Sequence, residues 1–464
     1  MNSYKMAYSS PEDMVFGHSR KPLSYGYGIR VGAGRVVPES NYAPRAGTEK
    51  TPERLRKEFV DYITKDILTR CINLGFPDIQ LETEWISQMG FEPRNSVPIV
   101  TDQKEMANRY HDEYGLNIAV RHTIPDLREC EKGLRLGMDT KRLYPERLIE
   151  GAEIACSNGA DVLSLESLGG KEVTDYAITQ GDITAYLFGA GILGSADMEY
   201  LWKELVQICR RNHTVPGGDS ACASSNTAMF LAGGFLDNDV QRTFSAICRC
   251  ISASRTMVAF ECGATGPGKD CAYESIMVKA VNGLPISQEG KTCQCAHADL
   301  QGNLMAQCCD LWSNESVEYH PEFGGSSVQC WTGMLGYECS LMNTATASGQ
   351  AKVLRDLYMI SDRRRSPEAY LLAFDNAWRI GKAMASYGSD RYMRAKEAAL
   401  EGSRILLEGH GNKDIDLTRK QLETLYKIQR DLESLPDDGQ DFTEMCLRKY
   451  SSEIPTFNPK NYDI

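Results

Sequence analysis

The stretch "YPERLIEGAEIACSNGADVLSLES", residues 144–167, contains one complete helix–strand unit. Apolar side chains recur at helical spacing through residues 144–158, and Gly159 follows, a residue that commonly ends helices. The next segment, "DVLSLES", is short and rich in Val and Leu, which is typical of a strand buried in a parallel sheet. This stretch therefore predicts a helix that feeds one strand of an α/β fold.

The same alternation of helical and extended segments recurs from residue 51 onward. About eight such units fit between residues 51 and 350, which predicts a (β/α)8 TIM-type barrel. A doubly wound open sheet is the alternative, but no Gly-x-Gly-x-x-Gly follows the first predicted strand. The predicted strands are residues 78–84, 117–123, 161–167, 184–195, 214–222, 256–264, 285–298 and 326–333, and the helices between them include 102–114, 144–158, 198–211, 225–233, 238–251, 272–282 and 300–312.

Two segments flank this predicted barrel. Residues 1–50 are rich in Gly, Pro, Ser and Tyr and are predicted to form an extended, loop-rich arm. Residues 351–464 show no further strands and contain polar helical segments, one of which begins at Ser366-Pro367, a helix cap followed by proline. The expected domains are therefore an arm at 1–50, a barrel at 51–350 and a helical region at 351–464 that packs on the barrel.

The charge balance excludes several classes of partner. The chain has 51 Lys and Arg against 63 Asp and Glu, a net charge of −12. Nucleic acids and anionic membranes require basic surfaces, so neither is an expected partner. No apolar run of about 18 residues and no secretory signal is present, which predicts a cytoplasmic protein. The 16 cysteines include no Cys-x-x-Cys, so most are expected to be small buried side chains.

Active sites of barrels lie at the carboxyl ends of the strands. The polar residues predicted there that could hold a metal are Glu166, Cys222 and Cys271. Cys271 follows the loop "GPGKD" and precedes a helix, a setting that favours the thiolate. Two thiolates and one carboxylate from three strand ends form a possible catalytic zinc site with an open fourth position. Other polar residues at the predicted strand ends are Glu82, Glu84, Arg121, His122, Asp219 and Glu261.

A second cysteine cluster competes for the metal. Cys293, Cys295 and His297 form a Cys-x-Cys-x-His pattern, and on a strand all three side chains would point to the same face. Packing of these side chains in a buried layer explains the pattern equally well. His122, in "RHT", is more typical of a hydrogen-bonded core histidine than of a ligand or base. Spacing alone leaves the choice between the two clusters open.

Long segments of the chain resemble the methanol:corrinoid methyltransferases, the methanol-activating subunits of anaerobic one-carbon metabolism. The resemblance covers nearly the whole chain, and such long strings are far more specific than a short motif. The segments that carry it are "EDMVFG", "NYAPR", "RHTIPDLRE", "GADVLSLESLGGKEV", "GDSACASSNTAMF", "GATGPGKDCAYESIMVKAVNGLP", "EGKTCQCAHAD" and "WSNESVEYHPEFGG".

This resemblance implies a (β/α)8 barrel that carries one zinc ion on Glu166, Cys222 and Cys271. Zinc would act as a Lewis acid on the oxygen of methanol, because hydroxide is a poor leaving group. The methyl acceptor implied by the family is a Co(I) corrinoid carried by a partner protein. The leaving oxygen also needs a proton, for which Asp219, His122 and Glu82 are the candidates.

The corrinoid is expected to be supplied in trans. None of the seven histidines lies in an Asp-x-His-x-x-Gly pattern, which ligates cobalt in corrinoid-carrying domains. The family further implies a homodimer that binds two corrinoid subunits. Two other functions remain open: a corrinoid-dependent methyltransferase with another donor, such as a methylamine, a betaine or a methoxylated aromatic, and a non-catalytic scaffold for the corrinoid protein. Intact metal-binding residues disfavour the scaffold.

Overall fold

A parallel sheet forms the centre of the protein. The computed structural model describes residues 3–45, 47–128, 143–235, 240–289, 300–302, 319–320, 325–462 and 464. Its seven parallel strands are β3 (Val37–Tyr42), β4 (Asp78–Glu84), β5 (Asn117–Ile124), β6 (Val162–Leu165), β7 (Val215–Asp219), β8 (Ser287–Gln288) and β9 (Leu300–Gly302). They pair in the order β7-β6-β5-β4-β3-β9-β8.

Residues 265–268 close this sheet into a ring between its two edges, β7 and β8. On one side the Thr265 N–H donates to the Pro216 carbonyl at 2.9 Å. On the other side the Gly268 N–H donates to the Pro285 carbonyl at 3.3 Å, and Gly268 forms a parallel bridge with Ile286. The seven strands and this closing segment together form an eight-stranded barrel, which confirms the predicted (β/α)8 architecture.

Helices surround the ring, and an antiparallel hairpin of β1 (His18–Tyr25) and β2 (Ile29–Ala33) attaches to the start of β5. A further short pair is β10 (Tyr319–His320) with β11 (Gly325–Ser326). Within the described residues, none of the helices is both long and apolar enough to cross a membrane. The helical segments are Pro52–Arg56, Lys57–Thr64, Lys65–Leu74, Ser87–Phe91, Val97–Tyr114, Leu143–Asn158, Lys171–Gln180, Ile183–Tyr186, Leu187–Leu193, Gly194–Arg211, Cys222–Asn226, Thr227–Phe230, Leu231–Phe235, Arg242–Glu261, Ser275–Asn282, Ser327–Ala347, Ala351–Asp362, Pro367–Leu371, Phe374–Ser386, Arg391–Gly411, Arg419–Glu433 and Gly439–Glu453.

Three of the predicted strands are wrong. Segments 184–195 and 256–264 are helical or follow a helix, and segment 326–333 opens the helix Ser327–Ala347. For segment 256–264 the physical reason is burial, because in Arg242–Glu261 every residue from 243 to 259 is buried. A helix that is covered on all sides shows no one-sided apolar stripe, so the short apolar run at 257–260 cannot be distinguished from a buried strand by periodicity.

The predicted domain boundaries also shift. Strand β3 lies inside the segment predicted as an arm and pairs with both β4 and β9, so the barrel begins before residue 51. Residues 300–302 were expected to start a helix but form β9, and the rest of that predicted helix lies outside the described residues. The strand-free helical region begins at residue 327 rather than at 351, and it contacts the barrel helices.

Gly266 gives a test of the ring closure. Its φ is +81°, and a Cβ there would lie 2.6 Å from the Pro285 carbonyl oxygen. We expect Gly266→Ala to lower the free energy of unfolding by about 2 kcal/mol, because an L-residue is strained at this φ and would push β8 away. Denaturant titration measures this change.

The matched control is Gly411→Ala, at the end of the helix Arg391–Gly411. No heavy atom lies within 4 Å of a Cβ at Gly411, so its stability should stay the same or rise slightly. Equal stability of the two variants would contradict the proposed closure.

Candidate metal centre

Three of the predicted ligands meet at the carboxyl ends of the strands. Glu166 follows β6 directly, Cys222 follows β7 by three residues, and Cys271 follows the closing segment by three residues. The candidate ligand atoms of the three side chains all lie within 4.8 Å of one another. Among the described residues this is the single group of three or more His, Cys, Asp or Glu with such a spacing.

Hydrogen bonds hold this cluster together. The Cys271 thiol donates to Glu166 Oε1 at 2.9 Å, and the Asn226 amide donates to Cys222 Sγ at 3.3 Å. Asn226 is held in turn by a buried Arg249, which also pairs with Glu274 at 2.5 Å. Burial, together with the neighbouring Cys222 thiol and the Glu166 charge, raises the pKa of Cys271 well above its ordinary value. A bound cation would offset this cost by stabilising the thiolate.

Lys269 connects the cluster to the barrel interior. Its side chain is fully buried, and Nζ lies 2.8 Å from Glu82, 3.1 Å from Glu84, 2.5 Å from Asp270 and 3.5 Å from Glu166. Burial lowers the pKa of Lys269, but the charges of Asp270 and Glu82 outweigh it and leave the pKa well above its ordinary value. The ammonium ion therefore stays charged and neutralises part of the surrounding carboxylate charge.

Asp219, a predicted proton donor, instead positions the loops that carry two ligands. Its Oδ1 accepts the backbone N–H of Ser167 at 3.0 Å and of Ser220 at 2.8 Å. Its Oδ2 accepts the indole N–H of Trp202 at 2.9 Å. Because both oxygens are engaged in a fully buried setting, Asp219 fixes the backbone beside Glu166 and Cys222.

His122, the second predicted proton donor, lies on the wrong face of its strand. Its neighbours along β5 point into the barrel, where Arg121 pairs with Glu39 and Thr123 donates to Glu82. His122 therefore points outward, and its Nδ1 accepts the indole N–H of Trp85 at 3.0 Å. Burial, helped by the charge of Lys104, lowers the pKa of His122 to about 3, so the ring is neutral.

Glu82, the third candidate, does lie inside the barrel and reaches the cluster through Lys269. Glu84, two residues further along β4, lines a cavity of about 410 Å³ at the barrel mouth together with Glu166 and Thr123. Glu84 was predicted at a strand end without a role, and Lys269 was not among the predicted site residues. Alternation along "DIQLETE" is the signal that puts both glutamates on the inner face.

One further predicted polar residue, Glu261, is not part of this site. Glu261 ends the helix Arg242–Glu261 and pairs with Arg394, so its placement at a strand end was wrong. Cys293, Cys295 and His297, the competing cluster, lie outside the described residues.

His122→Gln tests the structural role of this histidine. Its pKa is about 3 in the folded protein and about 6.5 when unfolded, so the unfolded chain binds more protons between these values. The contribution of the neutral His122 ring to the free energy of unfolding is fully present above pH 6.5. It decreases as the pH falls, and about 2 kcal/mol has been lost at pH 5. We expect His122→Gln to flatten this part of the stability–pH curve while catalytic activity is retained. An unchanged curve or a lost activity would contradict this role.

Comparisons with known proteins show which family the chain belongs to. The family model for the methanol-cobalamin methyltransferase B subunit matches residues 1–463. A methanol–corrinoid protein co-methyltransferase from Methanosarcina barkeri is 48% identical over 457 residues, covering 98% of each chain. The crystal structure of the methanol:cobalamin methyltransferase complex MtaBC from the same organism superimposes with a TM-score of 0.91 at 47% identity, covering 100% of both chains. The chain therefore belongs to the family of methanol-cobalamin methyltransferase B subunits.

Proposed function

We propose that this chain transfers the methyl group of methanol to the corrinoid of a partner protein, at a zinc ion held by Glu166, Cys222 and Cys271. The observation that carries the proposal is the convergence of these three donors at the barrel mouth, within 4.8 Å of one another. Methyl transfer from methanol to a corrinoid protein is the activity named for the relative that is 48% identical over nearly the full length.

The donor set fits zinc. Two thiolates and one carboxylate are ligands that zinc accepts, whereas magnesium and calcium require oxygen donors. Three protein ligands leave a fourth position for a substrate oxygen, as in other catalytic zinc sites. When bound, zinc supplies Lewis-acid polarisation of the methanol oxygen, which weakens the C–O bond.

The protein side chains supply the surrounding charge and the proton. The C–O bond of methanol breaks, the methyl group goes to the corrinoid cobalt, and the oxygen leaves as water once it has gained a proton. Glu84 and Glu82 are the carboxyl groups joined to Glu166 through Lys269. Burial raises the pKa of Glu82 well above its ordinary value while the adjacent Lys269 ammonium lowers it, a balance that suits a group that takes up and releases a proton.

The corrinoid approaches from the barrel mouth. The cavity of about 410 Å³ beside Glu166 supports this direction of approach. The described cysteines are all free thiols, which supports a reducing cytoplasm as the setting.

The intact cluster of three donors supports a catalytic function over that of a non-catalytic scaffold. We favour methanol over larger methyl donors because methanol is the substrate named for the relative that is 48% identical.

Cys222→Ala and Cys271→Ala test the zinc site. Each removes one of three protein ligands, so we expect the zinc content to fall from about one per chain to background and methyl transfer to be lost. Circular dichroism should barely change, because the barrel core does not depend on the metal. The measurements are elemental analysis and spectroscopic detection of methylcobalamin formed from methanol and free Co(I) cobalamin.

Cys262→Ala is the control, since this half-buried thiol lies at the end of the helix Arg242–Glu261 and outside the cluster. It should retain both zinc and activity. Full zinc retention in both ligand variants would reject the ligand assignment. If the zinc-loaded wild-type protein methylates cobalamin from methylamine but not from methanol, the assignment of methanol as the methyl donor is wrong.

We further propose that two copies of the chain associate and that each binds one corrinoid subunit. Two consecutive helices, Ser327–Ala347 and Ala351–Asp362, each expose large apolar side chains at spacings of three and four residues. Soluble monomers rarely leave such surfaces uncovered, and a second copy would cover them symmetrically. The exposed side chains are Met334, Tyr337, Leu341, Val353, Leu357 and Ile360.

The double variant Leu341→Lys/Leu357→Lys should shift the protein from dimer to monomer while zinc is retained, because it places charges in the apolar contact. Sedimentation analysis measures the change. Tyr114→Lys, which alters an exposed aromatic residue on another helix, should remain dimeric. A wild-type protein that is monomeric at micromolar concentration would refute this proposal.

A further inference from the structure

The C-terminal end of the chain reaches back to the loop that carries Glu166. The Gly170 N–H donates to the Tyr462 hydroxyl at 2.8 Å, and that hydroxyl donates to Glu172 Oε1 at 2.9 Å. The Tyr462 ring lies 6.3 Å from the ring of Phe457, centroid to centroid. Burial, with the charge of Glu172, raises the pKa of the Tyr462 hydroxyl well above its ordinary value, so it remains protonated and can donate.

The loop of residues 166–170 is held at its backbone by side chains from other elements. The Ser167 N–H donates to Asp219 at 3.0 Å, and the Leu168 N–H donates to Asp126 at 2.9 Å. Gly170 is the third amide that donates to a distant side chain, and its acceptor is Tyr462. The three acceptors come from the end of β7, from the segment after β5 and from the C-terminal tail.

The loop is also pressed against its surroundings. A Cβ at Gly169 would lie 2.3 Å from Asp197 Oδ2, and a Cβ at Gly170 would lie 2.0 Å from the Gly189 carbonyl oxygen. Gly170 has a φ of +81°, which glycine adopts readily. Two adjacent glycines allow this close approach but add backbone freedom. Hydrogen bonds from outside the loop are therefore needed to fix its path.

We infer that Tyr462 is a positioning residue for the metal ligand Glu166. The inference rests on the proposed zinc site, because Glu166 needs a fixed position only if its carboxylate is a ligand. Glu166 is the one oxygen donor of the cluster and is carried on the glycine-containing loop that Tyr462 holds. Partners of this kind, outside the ligand shell, orient metal ligands and typically change metal affinity by roughly 10–100-fold when removed.

Tyr462→Phe removes the hydroxyl and keeps the ring. We expect zinc to dissociate into a chromogenic chelator roughly ten times faster than from the wild-type protein, because the carboxylate ligand is less well oriented. We also expect kcat for methyl transfer to fall while KM for methanol is unchanged, since Tyr462 does not line the cavity beside Glu166. Tyr176→Phe is the matched control: its hydroxyl donates to Glu453 at 2.9 Å and does not touch the loop.

The outcomes separate the two proposals. Faster zinc release from Tyr462→Phe, but not from Tyr176→Phe, at equal thermal stability supports the positioning role. A wild-type protein that binds zinc and is active, with an unchanged release rate in Tyr462→Phe, overturns the inference and leaves the proposed function intact. A lower melting temperature with unchanged zinc release would make Tyr462 purely structural and would also overturn it. A wild-type protein without zinc would reject the proposed function itself.

Discussion

The Lys269 ammonium group is the interaction on which the site depends. It is fully buried and lies within 3.5 Å of carboxylate oxygens from Glu82, Glu84, Asp270 and Glu166. Without this cation, the carboxylates of β4, of Glu166 after β6 and of Asp270 after the closing segment would repel one another in a desolvated barrel. With it, the carboxylates can approach the thiols closely enough to share a metal.

Ring closure and the metal centre depend on the same short segment. Residues 265–268 complete the eight-stranded barrel through backbone hydrogen bonds to β7 on one side and to Pro285, just before β8, on the other. Lys269, Asp270 and Cys271 follow immediately, so the backbone that closes the barrel also delivers a cation, a carboxylate and a ligand to its mouth. The Cys271 N–H donates to Asp270 Oδ1 at 2.8 Å, which fixes the direction of this turn. Stability and chemistry are therefore coupled here.

The number of predicted barrel units was right, but several of the elements behind it were not. Strands at 78–84 and 117–123 were identified from local alternation, and both match β4 and β5 closely. Three predicted strands proved to be helical or outside the sheet, while β3, β9 and the closing segment were missed. The strands predicted in error and the strands that were missed are equal in number, so the predicted total of eight was still correct. Segment 256–264 was misread because its helix is buried on every side, and β3 was missed because its proline and polar residues are atypical of a buried strand.

The sequence by itself determined the α/β class, the candidate donors Glu166, Cys222 and Cys271 and, through the family resemblance, the preference for this set over the Cys293 cluster. Local periodicity and strand-end positions are encoded in neighbouring residues, so they can be read without a fold. Only the tertiary structure decided which polar residues face the cluster. In the folded chain His122 points away from the barrel interior, and Asp219 accepts hydrogen bonds from the backbone of two loops. Lys269 contacts Glu166, and Tyr462 contacts the loop that carries Glu166. These placements depend on contacts between residues as far apart as Gly170 and Tyr462, which no local pattern records.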